Sequence, residues 1–263
     1  LKSLAFSGDA RGVLLDLWLE SAETANRLLA PELKTLGSDA KERLNAKQVP
    51  QVWAIVDELA RKFGMATSDH PYGLYLSRER ELCQLSGNNL VCGSNFSGSL
   101  RDLSASRYCR LLRRLVLLPD RLGPIDGDLT ELLLYITACC QLVGLPGPTL
   151  QAELKTRLDE RLRSLDRAIS RRERGGLRNL SARLGVLNGE AGRDLIAAWQ
   201  EEIRMGAAQL ALALSGDVQG VLSDLSVSPN DGDGASARMA RRILSFAVSE
   251  DILTIRRDLG VSE

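Results

Sequence analysis

The side chains that most often carry catalysis or hold a metal are sparse in this sequence. Its one histidine, His70, precedes a proline and lies far from any cysteine pair. The five cysteines form no Cys-x-x-Cys motif, so neither a zinc site nor a Cys-His nucleophile can be assembled by motif. No phosphate loop of the form G-x-x-x-x-G-K-S/T occurs. We therefore predict no enzymatic activity, no catalytic residue, no metal and no cofactor. The odd cysteine count also argues against a disulfide framework.

Arginine is the residue type whose spacing suggests a chemistry. On a predicted helix, Arg107, Arg110 and Arg114 fall on one face, opposite a row of leucines. A second stripe of arginines lies along the predicted helix that ends at residue 174. It consists of Arg163, Arg167, Arg171 and Arg174, with Arg161, Arg172 and Arg178 beside it. The planar guanidinium group binds phosphate through two parallel hydrogen bonds, so RNA backbone and anionic lipid headgroups are both plausible ligands. The predicted binding residues are Arg107, Arg110, Arg113, Arg114, Arg163, Arg167, Arg171, Arg172 and Arg174.

The net charge of zero conceals an uneven distribution. Residues 101–178 carry 15 Lys and Arg against 10 Asp and Glu, a net charge of +5, while residues 179–263 carry 8 against 12, a net charge of −4. Acidic residues are interspersed along the second stripe, so ordinary surface ion pairing is an equally weighted interpretation of it. Stacking aromatic residues are lacking nearby, so binding should be to phosphates and not to base edges. If the two arginine-rich helices pack together, they form one basic patch.

Helices are expected to position these arginines. Aromatic residues make up only 4% of the chain, while leucine, alanine and arginine abound, which favours helix packing over sheets. Residues 86–99, rich in glycine, asparagine and serine, are predicted to be a flexible connection. Apolar periodicity predicts helices over residues 12–29, 33–44, 50–63, 74–85, 103–118, 128–143, 149–174, 177–184, 190–215, 218–225 and 235–259.

These elements predict an all-α fold of two helical domains. The larger, residues 1–174, is a multi-helix bundle that carries the basic patch. The smaller is a C-terminal helical domain over residues 177–263. Gly175-Gly176 is predicted to break the preceding helix and mark the boundary. No apolar run approaches the roughly 20 residues that cross a bilayer, so no membrane-spanning segment is expected.

The order of these elements resembles the matrix proteins of orthomyxoviruses, and the length suits the thogotovirus members best. The resemblance covers roughly residues 1–174. It rests on the Val49-Pro50 helix opening, the His70-Pro71 loop, a basic helix over residues 77–81, the basic helix over 108–114, the small-residue helix around 135–140 and the Pro148-Thr149 helix that ends at Arg174. It implies a protein that polymerises into a coat beneath the viral envelope and contacts the inner membrane leaflet and ribonucleoprotein. The implied locations are the virion, the host cytoplasm and nucleus, and the inner face of the plasma membrane.

Three functional hypotheses follow from the sequence. The first is a matrix protein whose partners are other copies of itself, an anionic membrane leaflet, and viral ribonucleoprotein or RNA. The second is a nucleoprotein-type RNA-binding protein with arginines lining a groove. The third is a helical adaptor without a phosphate ligand, whose arginine stripes are ordinary surface.

Overall fold

The computed structural model describes residues 9–62, 73–96, 103–119, 121–230 and 234–261, which form eleven α-helices and four strands. The chain folds into two units, each made of two separate segments. The first unit combines Leu1–Ala30 with Asp120–Arg204, and the second combines Pro31–Pro119 with Met205–Glu263. This division differs from the predicted one, in which each domain was continuous in sequence.

The helices fall between residues 9 and 258. They are α1 (Asp9–Leu29), α2 (Pro50–Lys62), α3 (Ala105–Leu115), α4 (Leu129–Leu142), α5 (Lys155–Ala168), α6 (Arg171–Asn179), α7 (Ser181–Leu184), α8 (Gly189–Ser215), α9 (Val218–Leu225), α10 (Ala235–Ala247) and α11 (Glu250–Asp258). Most of the helical segments predicted from periodicity are thereby confirmed. No helix in the described part of the chain is long and apolar enough to cross a membrane.

Helix α4 lies in the core of the first unit because it is apolar on nearly every side. Residues 132–140 are all buried. The ring of Tyr135 meets Trp18 of α1 edge-on, with centroids 6.1 Å apart, and Trp18 lies 6.2 Å from Trp199 of α8. The Tyr135 hydroxyl donates to the carbonyl of Ser21 at 3.1 Å. These contacts join α1, α4 and the first part of α8 around one aromatic cluster.

The second unit contains a four-stranded mixed sheet. Its strands are β1 (Arg43–Leu44), β2 (Gly73–Ser77), β3 (Cys83–Ser86) and β4 (Asn89–Gly93), in the spatial order β1-β2-β4-β3. Strands β2 and β4 are parallel, and the two outer pairs are antiparallel. A two-residue turn, Gly87-Asn88, joins β3 to β4, and Gly87 has the positive φ of +60° that this type of hairpin requires.

The predicted all-α fold is therefore wrong, since the chain combines helices with this sheet. Residues 74–85, predicted as a helix, form β2, a turn and β3, and residues 86–99, predicted as a flexible connection, contain β4. The basic helix that the resemblance implied over residues 77–81 is the end of β2 and the turn after it. Charged residues in that turn mimic a polar helix face, whereas the flanking residues form a short apolar run in β2 and alternate between apolar and polar in β3, as in strands.

Two further expectations are corrected. Residues 33–44 form turns, a short 3-10 helix and β1, not a helix. Gly175-Gly176 lies inside α6 and does not interrupt that helix. The preceding helix instead ends at Ala168, because Ile169 turns to an extended conformation (ψ 131°) and Ser170 caps the next helix. The expected ends of two segments, Phe63 with Gly64 and residues 97–99, lie outside the described residues, as does the His70-Pro71 loop.

Candidate phosphate-binding surface

The arginines of α3 are the first predicted group, and the helix that carries them is tightly packed in the second unit. Ser104 caps it by accepting a hydrogen bond from the Arg107 backbone N–H at 3.4 Å. Leu111, Leu112 and Leu115 on its apolar face are fully buried. The leucine periodicity thus predicts the buried face of α3 correctly.

Asp224 of α9 is the central partner of this helix. Its carboxylate accepts a hydrogen bond from Arg110 Nε at 2.7 Å and from Arg113 Nε at 2.9 Å. The Asp224 side chain is only 1% exposed. The two helices can approach this closely at Gly220 of α9, where an added Cβ would lie 2.9 Å from Cys109 Sγ. Two arginines therefore clamp one buried carboxylate and fasten α3 to α9.

The other two α3 arginines contact the region of β3. Arg107 Nε donates to Glu81 Oε2 at 3.0 Å, and this bond, with a second from Asn95, holds the pKa of Glu81 below its ordinary value. Arg114 Nε donates to the Cys83 carbonyl at 3.3 Å. Burial, and next the charge of neighbouring Arg113, lower the pKa of Arg114 to about 10. All four α3 arginines are thus engaged inside the second unit rather than held out to a ligand.

The arginines of α5 and the start of α6 are placed differently. Arg163, Arg167, Arg171 and Arg172 are all exposed. The side chains of Arg167, Arg171 and Arg172 make no hydrogen bond or ion pair with any residue that the structure describes. Arg163 donates from Nε to the Asp159 carbonyl at 3.2 Å, which occupies one of its five N–H groups. We call these four residues the basic corner.

The remaining arginines of α5 and α6 have internal partners. Arg174, the ninth predicted residue, donates from Nη2 to Asp166 Oδ1 at 2.6 Å. Arg157 and Arg161, on the side of α5 that packs against α4, both pair with Glu131. One side of α5 is therefore fixed by ion pairs, and the other side carries the basic corner.

Glu173 holds the junction between α5 and α6 in place. Ser170 and Glu173 form a capping box, in which the Ser170 N–H donates to Glu173 Oε2 at 2.9 Å and the Glu173 N–H donates to Ser170 Oγ at 3.2 Å. Thr24 of α1, which is buried, donates from its hydroxyl to Glu173 Oε2 at 3.0 Å. Arg27 donates to the Ala168 carbonyl at 2.7 Å. The basic corner thus lies on a junction that is fastened to α1.

The same contacts set the charge state of Glu173. Burial acts to raise the pKa of this carboxyl, but the hydrogen bonds from Ser170 and Thr24 together outweigh burial and hold the pKa below its ordinary value. Glu173 stays ionised at neutral pH and is occupied by the cap. The sequence suggested it as a partner for arginines, yet the Ser-x-x-Glu pattern at Ser170 was a readable capping signal.

The electrostatic consequence is a local excess of positive charge. Residues 155–183 of the first unit carry ten Lys and Arg against four Asp and Glu, a net charge of +6. Of the four acids, Glu173 serves the cap and Asp166 pairs with Arg174. Arg178 of α6 is also exposed and adds to this charge. Arg157 and Arg161 pair with Glu131, and Arg183 pairs with Asp16, both of which lie outside this range. The four arginines of the basic corner, in contrast, form no ion pair with any acidic residue that the structure describes, so the corner is an exposed cationic surface.

The two predicted arginine stripes belong to different units. Arg107, Arg110, Arg113 and Arg114 lie in the second unit, while the residues from Arg163 to Arg174 lie in the first. Neither unit by itself contains the joint patch that the sequence suggested. The predicted binding residues thus separate into anchored ones on α3 and exposed ones on α5 and α6.

Two other features of the described residues bear on a possible site. No group of three or more His, Cys, Asp or Glu side chains there could hold a metal ion. An open groove of about 610 Å³ borders α9 and the loop after it, and its lining, which includes Leu222, Val227, Pro229 and Leu244, contains no charged side chain. The groove offers no acid, base or nucleophile pair beyond serine hydroxyls.

No family model, no curated protein and no solved structure matches this chain.

Proposed function

We propose that this protein is a structural protein that attaches to an anionic membrane surface through the basic corner and self-assembles there, in the manner of a viral matrix protein. The observation that carries the proposal is the exposure of Arg167, Arg171 and Arg172, whose side chains have no partner among the residues that the structure describes. Guanidinium groups in this setting bind phosphate headgroups readily.

The position of two of these arginines supports a binding function over a purely structural one. Arg171 and Arg172 are the first two residues of α6. The N-terminus of a helix carries partial positive charge, so cations there are unfavourable for the isolated helix. Helix stability therefore gives no reason for placing arginines at these positions. An anion bound outside would reverse the sign of that interaction.

A lipid surface fits the basic corner better than a nucleic acid does. Helices α5 and α6 contain no aromatic residue on which a base could stack. Each basic residue near an anionic leaflet contributes about 1 kcal/mol, so four give only modest affinity to one molecule. Many copies assembled side by side would multiply these contacts into stable attachment.

Self-assembly is the second part of the proposal. The resemblance to orthomyxovirus matrix proteins supports it, through the helices over residues 105–115 and 129–142 and the α5–α6 pair. The charge pattern supports it as well, since the net −4 of residues 179–263 complements the positive corner of a neighbouring copy. Ribonucleoprotein would be a further polyanionic partner of the assembled coat, inside the virion or the infected cell.

Sedimentation tests both parts together. The purified protein is spun at about 50 and about 500 mM salt, alone, with phosphatidylserine vesicles, with phosphatidylcholine vesicles and with generic single-stranded RNA. The proposal expects salt-sensitive large assemblies. At about 50 mM salt it also expects more protein in the pellet with phosphatidylserine vesicles than alone, with phosphatidylcholine vesicles or with RNA, and this excess should be lost at about 500 mM salt. Preferential binding to RNA would favour the nucleoprotein hypothesis instead. A monomer that ignores every ligand would leave the adaptor hypothesis.

A further inference from the structure

Two cysteines face each other in the sheet of the second unit. Cys83 on β3 and Cys92 on β4 are directly opposite in the antiparallel register, and their sulfur atoms are 3.9 Å apart. Both are free thiols and are 3% and 4% exposed. The proposed membrane attachment makes no use of them.

The register shows that this pair is suited to a covalent bond. The Gly93 N–H donates to the Leu82 carbonyl at 2.8 Å, which makes residues 82 and 93 a hydrogen-bonded pair. Their neighbours, Cys83 and Cys92, are therefore a non-hydrogen-bonded pair, for which the Cα separation is about 4.5 Å. That separation lies within the range of about 4.4 to 6.8 Å that disulfides span. The sulfur atoms, now 3.9 Å apart, must approach to the bonding distance of about 2.0 Å.

We propose that Cys83 and Cys92 are an oxidisable pair that forms a cross-strand disulfide by exchange with a small-molecule disulfide of the glutathione type. The Cys83 thiolate attacks one sulfur of the oxidised reagent, and one reagent thiolate leaves. The Cys92 thiolate then attacks Cys83 Sγ and displaces the second reagent thiolate. Two electrons pass from the protein thiols to the reagent, and the two protons end on the two reagent thiols.

The topology provides access to these buried thiols. Strand β3 is at the edge of the sheet, so it can separate from β4 while the β2–β4 pairing stays intact, and this opening also breaks the hydrogen bond from Arg114 to the Cys83 carbonyl. Cys83, on the edge strand, is the thiol that such opening presents first. The hydrogen bond to Cys83, and then burial, raise the pKa of Cys92 well above its ordinary value, which keeps the closed pair reduced and slow to react. Oxidation then pins the edge strand to β4.

The remaining cysteines have other surroundings. Cys109, also in the second unit, has Ser215 Oγ at 3.6 Å and the Asp217 carbonyl at 3.9 Å as its hydrogen-bond partners, not a thiol. Cys139 and Cys140 are successive residues of α4 in the first unit. Adjacent positions on a helix point about 100° apart, which is unfavourable for a bond between them. The geometry thus predicts selective oxidation of the Cys83–Cys92 pair.

Peptide mapping tests the proposal directly. The folded full-length chain is incubated with oxidised glutathione, quenched in acid, alkylated in denaturant and digested with trypsin. Cys83 and Cys92 fall in one tryptic peptide, residues 81–101, which contains no internal Lys or Arg. The expected product is this peptide with neither cysteine alkylated and two hydrogens lighter, while Cys109, Cys139 and Cys140 remain alkylated. Reduction should restore both alkylation sites.

Matched variants make the result decisive. In Cys83→Ser, Cys92 should be alkylated or carry a single glutathione, whereas Cys109→Ser should form the disulfide as the wild type does. The proposal is overturned if both cysteines of residues 81–101 stay alkylated under prolonged oxidation, or if each carries its own glutathione. It is equally overturned if all five cysteines oxidise together in the folded chain.

Discussion

The clamp between α3 and α9 makes a quantitative prediction about Asp224. Asp224→Ala removes the one carboxylate that Arg110 and Arg113 share, at 2.7 and 2.9 Å, inside the second unit. The side chain of Arg113 is 11% exposed and that of Arg110 is 30% exposed. Arg113 thus loses a buried carboxylate acceptor, while Arg110 can turn partly to solvent. The variant should lose stability because two guanidinium groups lose a charged acceptor that is itself buried.

The expected loss is large. Removing one partner of a buried ion pair costs about 3–5 kcal/mol, and the partial exposure of Arg110 places this case near about 3 kcal/mol. Domain stabilities are only about 5–15 kcal/mol, so the change is easily measured. The assay is equilibrium urea unfolding followed by far-UV circular dichroism. Asp224→Asn, which keeps one oxygen acceptor, should lose less.

Two controls decide whether charge is the cause. Asp194→Ala removes an exposed aspartate of α8 and should change stability by less than about 0.5 kcal/mol. Replacing the whole clamp with apolar residues, Arg110→Met, Arg113→Met and Asp224→Leu together, should recover much of the loss because neither arginine of the clamp is left charged without the Asp224 carboxylate. The reasoning is refuted if Asp224→Ala unfolds at the same urea concentration as Asp194→Ala.

Two further predictions concern glycine packing and pH. Gly220→Ala should destabilise the chain by about 1–3 kcal/mol in urea unfolding, because the added Cβ meets Cys109 Sγ at 2.9 Å. Gly175→Ala should instead stabilise by about 0.5–1 kcal/mol, since no atom lies within 4 Å of the new Cβ and the residue is helical. Equal signs for these two variants would contradict the packing geometry. Glu173→Gln should be less stable than wild type at pH 7 by about 1 kcal/mol. Because the folded-state pKa of Glu173 lies below its unfolded value, that difference is present above about pH 4.5 and should vanish as the pH falls through the folded pKa. A difference unchanged down to pH 2 would exclude the proposed ionised cap.

Local pattern was enough to predict most of the helices. The leucine spacing of α3 and the continuous apolar stretch of α4 correspond to helices whose apolar residues are buried, so their positions follow from periodicity. The sheet could also have been predicted from the sequence. Between Cys83 and Cys92, apolar residues alternate around a Gly-Asn turn, which is a hairpin signal. The charged turn before β3 concealed it by suggesting a helix instead.

The sequence could not predict which arginines are paired and which are exposed. Arg110 and Arg113 look like surface residues on a helix, and their partner, Asp224, is more than a hundred residues away in the chain. Only tertiary packing brings that carboxylate to them. The arginines of the basic corner also recur at helical intervals, yet no such partner reaches Arg167 or Arg171 among the described residues. The spacing of the arginines in the sequence thus identified candidate phosphate-binding residues. Their burial and ion pairing in the structure distinguish the paired arginines of α3 from the exposed ones of the basic corner.

Charge reversal of the basic corner tests the central claim most directly. Arg167→Glu, Arg171→Glu and Arg172→Glu are combined, and binding to phosphatidylserine vesicles at about 50 mM salt is compared with a control triple. The control reverses three exposed arginines on other elements, Arg43, Arg193 and Arg242, and so has the same net charge.

Loss of three contacts of about 1 kcal/mol each predicts vesicle binding at least about 100-fold weaker for the corner variant. The control should bind nearly as wild type, and circular dichroism should be unchanged in both. Equal binding by the two triple variants would contradict attachment through the basic corner.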